Sequence, residues 1–404
     1  MAAANYEDAD MNIDFDARLE RTNTQSVKFD KRDVVFGNKD VIPLWVADTD
    51  FAVPECVTVA LRERINHPIY GYSAYPESLK NAVIGWFKRK HQVDIDPQWL
   101  VIAPGVMTSV AAFVQAVTSE NEGVIVQPPV YHVFFPAVTH NSRKLVLNPL
   151  VKTPTGYDMN LPELNELAAA GARALIFCSP HNPVGRVWSK EELVSLMDIS
   201  RRHKMNIVSD DIHCDLTYEG ERHQFLFELA TEDDLLVTTI APNKTFNIPA
   251  LGLSALIIKN PKLRKQLQKV FDQLLLGGVN PLSAAAMEAV YAGEADDWHS
   301  QLMTYLQGNR DFVHHFFAAR DLGIKANCPQ ATFLSWLDCR DLGMTDAQLK
   351  QFFVEECGLG LSPGASFGLG GEGFMRINLG TRTEVLQDAL HRIENAIKLR
   401  FHRP

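Results

Sequence analysis

The sequence predicts an α/β fold: a large unit built on a mostly parallel sheet between crossover helices, plus a smaller α+β unit. Three observations carry this. Short apolar runs recur at GVIVQ (123–127), ALIFC (174–178), NIVS (206–209), LLVTTI (235–240) and SALII (254–258), the pattern of strands buried on both faces. Helical stretches separate them, as parallel neighbours joined by crossovers require. After about residue 285 the pattern changes to long helices and isolated strands, which marks a second unit.

Taken in order, residues 1–35 are polar and weakly periodic, predicting an arm whose later part packs on the body. From about residue 75 helical and strand-like stretches alternate. Residues 107–117 read as a helix opening after Pro104-Gly105. The strand at 123–127 ends in the turn-prone Pro128-Pro129. After the strand 174–178, Ser189 and Glu192 form a capping box. Leu193, Leu196 and Met197 follow at helical spacing, and Arg201, Arg202 and Lys204 suit the negative end of that helix. Beyond the large unit, 302–320 reads as a long helix, while 333–337 (FLSWL) and 374–379 (FMRINL) read as strands. The segment 383–399 is amphipathic through Leu386, Ala389, Leu390, Ile393 and Ile397.

Composition bounds the function. A chain of 404 residues exceeds the roughly 250–300 that one core supports. With 46% hydrophobic residues, intrinsic disorder is excluded. A net charge of −10 speaks against nucleic acid or an anionic membrane as partner, while leaving room for a local small-anion site. Cys56, Cys178, Cys214, Cys328, Cys339 and Cys357 form no C-x-x-C pair and read as reduced thiols. Glu7, Asp8, Asp10, Asp14 and Asp16 precede the first base, Arg18, unlike a signal or transit peptide. No apolar run approaches the roughly 18 residues of a membrane helix. The expected location is cytoplasmic.

Four features carry chemistry. Lys244, in Asn243-Lys-Thr-Phe-Asn247, follows the strand 235–240 and sits where α/β sheets bind ligands. A partly desolvated lysine there is a nucleophile able to form a Schiff base. Asp210, at the end of the strand 206–209, can hold a protonated ring nitrogen, and His213 lies three residues on. Asn182 stands between Pro180 and Pro183, which restrict its backbone. Gly105 opens a helix whose free N–H groups favour a phosphate. Alone, each reads equally as an ordinary loop at a strand end. Together they specify a ligand with a phosphate, a ring cation, a phenolic oxygen and an aldehyde. Pyridoxal 5′-phosphate has all four.

In motif order and spacing the chain resembles the fold-type I, class I/II aminotransferase superfamily over about residues 40–404. The resemblance implies a large domain with a seven-stranded-type, mostly parallel sheet. It implies Lys244 as the lysine that bonds the cofactor, Asp210 at the pyridine nitrogen, and Asn182 and His213 at the phenolic oxygen. Tyr131 would stack on the ring, and the amides of Val106 and Met107 would cradle the phosphate. Tyr72 would reach the phosphate of a neighbouring subunit's cofactor, making a homodimer with shared sites. Arg376, in FMRINLG, would grip the substrate carboxylate as a bidentate fork, with Val46 and Ala47 lining that end. No metal is implied.

One departure is informative. Where many class I aminotransferases carry a phosphate-binding arginine, eight residues after the lysine, this chain has Gly252. The runs Leu44-Trp-Val-Ala-Asp48, Ser209-Asp-Asp-Ile-His213 and Lys244-Thr-Phe-Asn-Ile-Pro-Ala-Leu251 are similar to the MalY/PatB type of cystathionine β-lyase, although Asp211 stands where that branch usually has Glu. The resemblance therefore implies a carbon–sulfur β-lyase acting on L-cystathionine or a related cysteine S-conjugate, releasing a thiol, pyruvate and ammonia. An aminotransferase shares the named residues and is the alternative. A non-catalytic regulator on the same fold is a minor one, disfavoured because Lys244 and Asp210 are both present. The motif order also predicts a central large domain, 49–289, with 1–48 and 290–404 forming an arm and a discontinuous small domain.

Overall fold

The apolar runs do form one sheet. The structure, a computed structural model, describes residues 13–401; residues 1–12, the start of the expected arm, lie outside the described residues. Seven strands make up the sheet: β1 (Leu100–Ala103), β2 (Gly123–Val126), β3 (Lys144–Leu147), β4 (Ala174–Cys178), β5 (Asn206–Asp210), β6 (Leu236–Ile240) and β7 (Ser254–Ile257). Their spatial order is β1-β7-β6-β5-β4-β2-β3. All run parallel except β7, which is antiparallel to both β1 and β6. The exception has a physical cause. A parallel return needs a crossover of a dozen or more residues, usually a helix. Residues 241–253 are long enough for a crossover but fold as turns around Lys244 and form no helix, so β7 comes back antiparallel.

Every residue of β4, β6 and β7 is buried. Side chains alternate between two cores with the strand period of two. Ala174, Ile176 and Cys178 enter one core, and Leu175 and Phe177 enter the other. Helices cover both faces. The helix α3 (Val106–Val117) and the helix α5 (Pro261–Gln273) fill one side through Val110, Phe113, Leu263 and Leu267. On the other side, α4 (Lys190–His203) brings Leu193, Leu196 and Met197. Its capping box is formed as expected, with Ser189 and Glu192 bonding each other's backbone N–H. Also on this side are α1 (Glu55–Asn66), α2 (Glu77–His91) and α6 (Pro281–Tyr291).

A second, four-stranded antiparallel sheet is formed by β8 (Lys325–Ala326), β9 (Leu334–Asp338), β10 (Ser362–Pro363) and β11 (Phe374–Asn378), in the order β8-β9-β11-β10. It packs with α7 (Asp296–Ala318) and α8 (Thr383–Phe401) around a third core that includes Leu337, Met375, Ile377, Leu386, Leu390 and Ile393. The helix expected from 302 begins six residues earlier. Asp296 and Asp297 occupy its first turn, where acidic groups suit the dipole, and Trp298 extends its buried face.

The described part of the arm is anchored. Phe15 packs edge-on against Phe51 and Trp298. Lys28 is wholly buried against Asp50 at 3.0 Å. No helix among the described residues is long and apolar enough to cross a membrane.

Candidate active site

The carboxyl ends of five of the six parallel strands, β1, β2, β4, β5 and β6, open on one cavity of about 200 Å³. This is the edge of an α/β sheet at which ligands bind. Each strand delivers one element of the lining. Beyond β1, Gly105 opens α3 with Val106 and Met107; the loop after β2 brings Tyr131, and the loop after β4 brings Asn182. β5 ends on Asp210, with Ile212 and His213 just beyond, and the loop after β6 carries Asn243 and Lys244. Ala47 closes the cavity from the N-terminal segment.

Burial sets the electrostatics. The Asp210 carboxyl is pushed up to about 7 by desolvation, against the pull of the Ile212 N–H and the nearby Lys244 charge. That N–H, donating at 3.2 Å, is its hydrogen-bond partner among the described residues. The Lys244 amine is pushed down to about 8, first by burial and then by the Arg376 charge. Lys244 is therefore a base poised near neutrality. Its Nζ donates to the Ala47 carbonyl at 2.7 Å. Burial also drives His213 down to about 3, so its ring is neutral.

Arg376, on β11 of the second sheet, reaches Asn182 of the cavity lining. Its Nη1 donates to Asn182 Oδ1 at 3.1 Å, and its Nη2 donates to the Trp45 carbonyl at 2.7 Å and Ser362 Oγ at 3.2 Å. Burial lowers this guanidinium to about 10, and it remains charged. The segment 45–49 is pinned beside it. Asn378 Nδ2 donates to the carbonyls of Val46 and Asp48, both at 2.6 Å, and Asn247 Oδ1 accepts from Thr49 N–H.

The structure thus gathers Lys244, Asp210, Asn182, His213, Tyr131, Val106, Met107 and Ala47 at one cavity, with Arg376 bonded to Asn182 and Val46 held next to Ala47. Tyr72 stands apart, fully exposed at 113% of its reference area and outside this chain's cavity lining. Sequence reasoning overlooked Ser362 and Asn378, which organise the 45–49 segment. Asn378 lies two residues after Arg376 on the same strand, and on a strand i and i+2 share a face; that was the available signal. Gly252 also lines the cavity, and a Cβ there would meet the Pro104 carbonyl at 3.3 Å. The close approach of the two turns explains why a small residue sits there. The Asn243 amide N–H groups turn away to the carbonyls of Ile248 and Leu251.

The residues present fit pyridoxal 5′-phosphate. His213 Nδ1 and Arg376 Nε are buried without a hydrogen-bond partner among the described residues. Such groups are costly unless a ligand completes them. Asp210 is a buried carboxyl at the cavity whose described donor is the single Ile212 N–H. The first turn of α3, a twelve-residue helix, offers N–H groups at the other end of the cavity, the natural seat for a phosphate.

Comparison with known proteins agrees. Residues 39–393 match the family described as aminotransferase class I and II. Cystathionine beta-lyase PatB from Bacillus subtilis is 39% identical over 387 residues, covering 95% of this chain and 100% of that protein. Protein MalY from Escherichia coli is 31% identical over 96% of this chain and 99% of its own length. Among solved structures, cystalysin from Treponema denticola, which contains a pyridoxal 5′-phosphate cofactor, superposes with a TM-score of 0.92 at 34% identity, covering 96% of this chain and 99% of its own.

Proposed function

The chain belongs to the class I and II aminotransferase family, and from that footing we propose that it is a pyridoxal 5′-phosphate-dependent carbon–sulfur β-lyase. Its substrate is L-cystathionine or a related cysteine S-conjugate, which with water yields a thiol, pyruvate and ammonia. The observation that carries this reading is the 39% identity, across the full length of the relative, to a cystathionine beta-lyase. The absence of a side chain at Gly252, where many transaminating members have arginine, points the same way.

Bound cofactor supplies an electron-withdrawing ring that takes up the electron pair left at the substrate Cα. The protein's own residues do the rest. Lys244 would hold the cofactor until the substrate's amine takes its place, and the freed Lys244 amine, pushed down to about 8 by burial, would then accept the Cα proton as general base. With the cofactor bound, Asp210 would keep a proton on the ring nitrogen, Asn182 and His213 would serve the phenolic oxygen, and Tyr131 would cover the ring. The N–H groups of Val106 and Met107 would hold the phosphate. Arg376 binds the α-carboxylate with its fork of donors. Its bonds to Trp45 and Ser362 fix that fork, so the Cα–H bond is presented to Lys244 in one orientation. Val46 and Ala47 line the carboxylate end.

The working unit is a homodimer in the cytoplasm, in which Tyr72 completes the phosphate site of the neighbouring subunit. The exposed run of Ile69, Tyr70 and Tyr72 supports this, since exposed aromatics in an ordered chain suit an interface. The catalytic unit spans two parts, a large domain at 49–289 and a small one from 1–48 and 290–404, with the site between them. A panel of S-substituted cysteines and 2-oxo acids, presented to the purified protein, tests the reading: thiol release from the cysteine conjugates is expected. Amino-group transfer alone would overturn it.

A further inference from the structure

Behind the Lys244 loop lies a buried carboxylate that the chemistry above does not use. Asp215 is 4% exposed. Its Oδ1 accepts from Trp86 Nε1 at 2.9 Å and stands 2.6 Å from His91 Nε2. Its Oδ2 accepts from the Thr245 hydroxyl at 3.2 Å. Its backbone carbonyl is 2.7 Å from His299 Nε2. Four parts of the fold meet here: α2 through Trp86 and His91, the turn after β5 through Asp215 itself, the loop after β6 through Thr245, and α7 through His299. Burial alone would push this carboxyl up, but the His91 hydrogen bond and charge, then the nearby His299 and the Trp86 hydrogen bond, outweigh it and hold the group below its ordinary value. The anion is the stable form, and each of its oxygens is committed to a donor.

His91, Cys214 and Asp215 place donor atoms within 4.8 Å of one another, a spacing that also suits a metal ion. The hydrogen bonds argue otherwise. Both Asp215 oxygens are occupied, and burial pushes the Cys214 thiol well up, so the thiolate a metal would need is disfavoured. The cluster is a hydrogen-bond hub.

What the hub holds is the residue next to Lys244. Thr245 is wholly buried. The next residue, Phe246, packs edge-on against Trp86 with ring centroids 5.4 Å apart. The indole that donates to Asp215 thus also bears on the Lys244 loop. Two consecutive residues after Lys244 are clamped to one anchor, and a lysine at a strand-end loop can be aimed only as well as that loop is fixed. We propose that Asp215 is a positioning residue for Lys244, acting through the Thr245 hydroxyl. This rests on the reading of Lys244 as the cofactor-bearing base.

The test is a double-mutant cycle on the full chain, resolved to apoprotein and titrated with pyridoxal 5′-phosphate, with kcat measured in parallel. In Asp215→Asn the amide oxygen stays with Trp86 and His91 and an NH₂ faces Thr245, so the charged acceptor is lost and the contact survives only as a neutral bond with the hydroxyl accepting. Thr245→Val removes the hydroxyl. Each is expected to weaken cofactor binding and lower kcat by about 10-fold, and the double variant is expected to match either single one within about twofold, because both act on the one charged contact. Thr245→Ser, which keeps the hydroxyl, is expected to stay within about twofold of wild type. Thr245→Val binding cofactor like wild type, or losses that multiply in the double variant, would overturn the proposal. If Asp215→Asn does not fold, the contrast between the Val and Ser variants at 245 decides alone: loss with Val and retention with Ser supports the proposal, and equal behaviour overturns it. A wild-type chain that takes up no cofactor would overturn the Lys244 reading and the proposal with it; wild-type uptake with an indifferent Thr245→Val overturns the proposal only.

Discussion

Arg376 and Asn182, 194 positions apart in the chain, meet in a buried hydrogen bond of 3.1 Å. One lies on a strand of the smaller sheet and the other in the loop after β4 of the larger. The group assigned to the substrate and a group assigned to the cofactor are thereby joined, so the two sheets meet at the point where chemistry is proposed.

That bond makes the side chain at 376 irreplaceable by charge alone. Lysine is a point donor without the planar fork, and it cannot serve Trp45, Asn182 and a carboxylate together. Arg376→Lys is expected to lower kcat/KM for the amino-acid substrate on the order of 10²-fold, the loss of one or two charged hydrogen bonds. Cofactor content, read from the visible absorbance, is expected to change little. Steady-state kinetics on the loaded enzyme checks this.

Lys244 is assigned both the bond to the cofactor and the proton transfer. Lys244→Ala is expected to lose on the order of 10⁴-fold or more in turnover and to lose the visible absorption of lysine-bound cofactor. Retention of either would remove Lys244 from its role.

The Asp210 carboxyl gives the cofactor-free protein a pH signature. Its folded value of about 7 lies above the ordinary 3.8, so the folded state keeps a proton that the unfolded chain releases. The stability from this group is complete below 3.8 and is lost as pH rises through about 7. Lys244 acts in another window. Its value is lowered from 10.5 to about 8, so the unfolded chain binds the extra proton between those values and stability rises with pH there. Thermal melts of apoprotein are therefore expected to fall between about pH 4 and 7 from the Asp210 contribution. Asp210→Asn is expected to flatten that fall and to leave the window above pH 8 in place.

Tyr72 is fully exposed among the described residues, so Tyr72→Phe is expected to leave folding stability within about 0.5 kcal/mol of wild type. If the hydroxyl serves a neighbouring subunit, the same change weakens cofactor binding several-fold. Sedimentation should report a dimer, and an active monomer would refute the shared site.

Much of this was readable in the sequence because strand ends announce themselves. Asp210, Asn182 and Lys244 each stand at or just beyond the end of a largely buried strand, and the step from buried strand to polar loop marks the sheet edge where ligands bind. The amphipathic spacing of Leu386, Ala389, Leu390, Ile393 and Ile397 similarly foretold a helix whose apolar face is buried. Other features depend on contacts no local pattern carries. The Asp215 hub joins residues 86, 91, 215, 245 and 299, which only the folded chain brings together. The pinning of residues 45–49 arises from side chains donating to backbone carbonyls, which every residue type possesses. The reversed β7 was hidden for another reason: an apolar run looks the same read in either direction, and its sense is set by the turns at 241–253, which form no crossover helix.

The most direct measurement is incubation of the purified, cofactor-loaded protein with L-cystathionine in the absence of any 2-oxo acid, with thiol and pyruvate quantified together. A β-lyase releases the two in equal amounts, and catalysis continues over many turnovers. Turnover that stops after one equivalent per site, or begins only when a 2-oxo acid is added, would contradict the account and identify an aminotransferase.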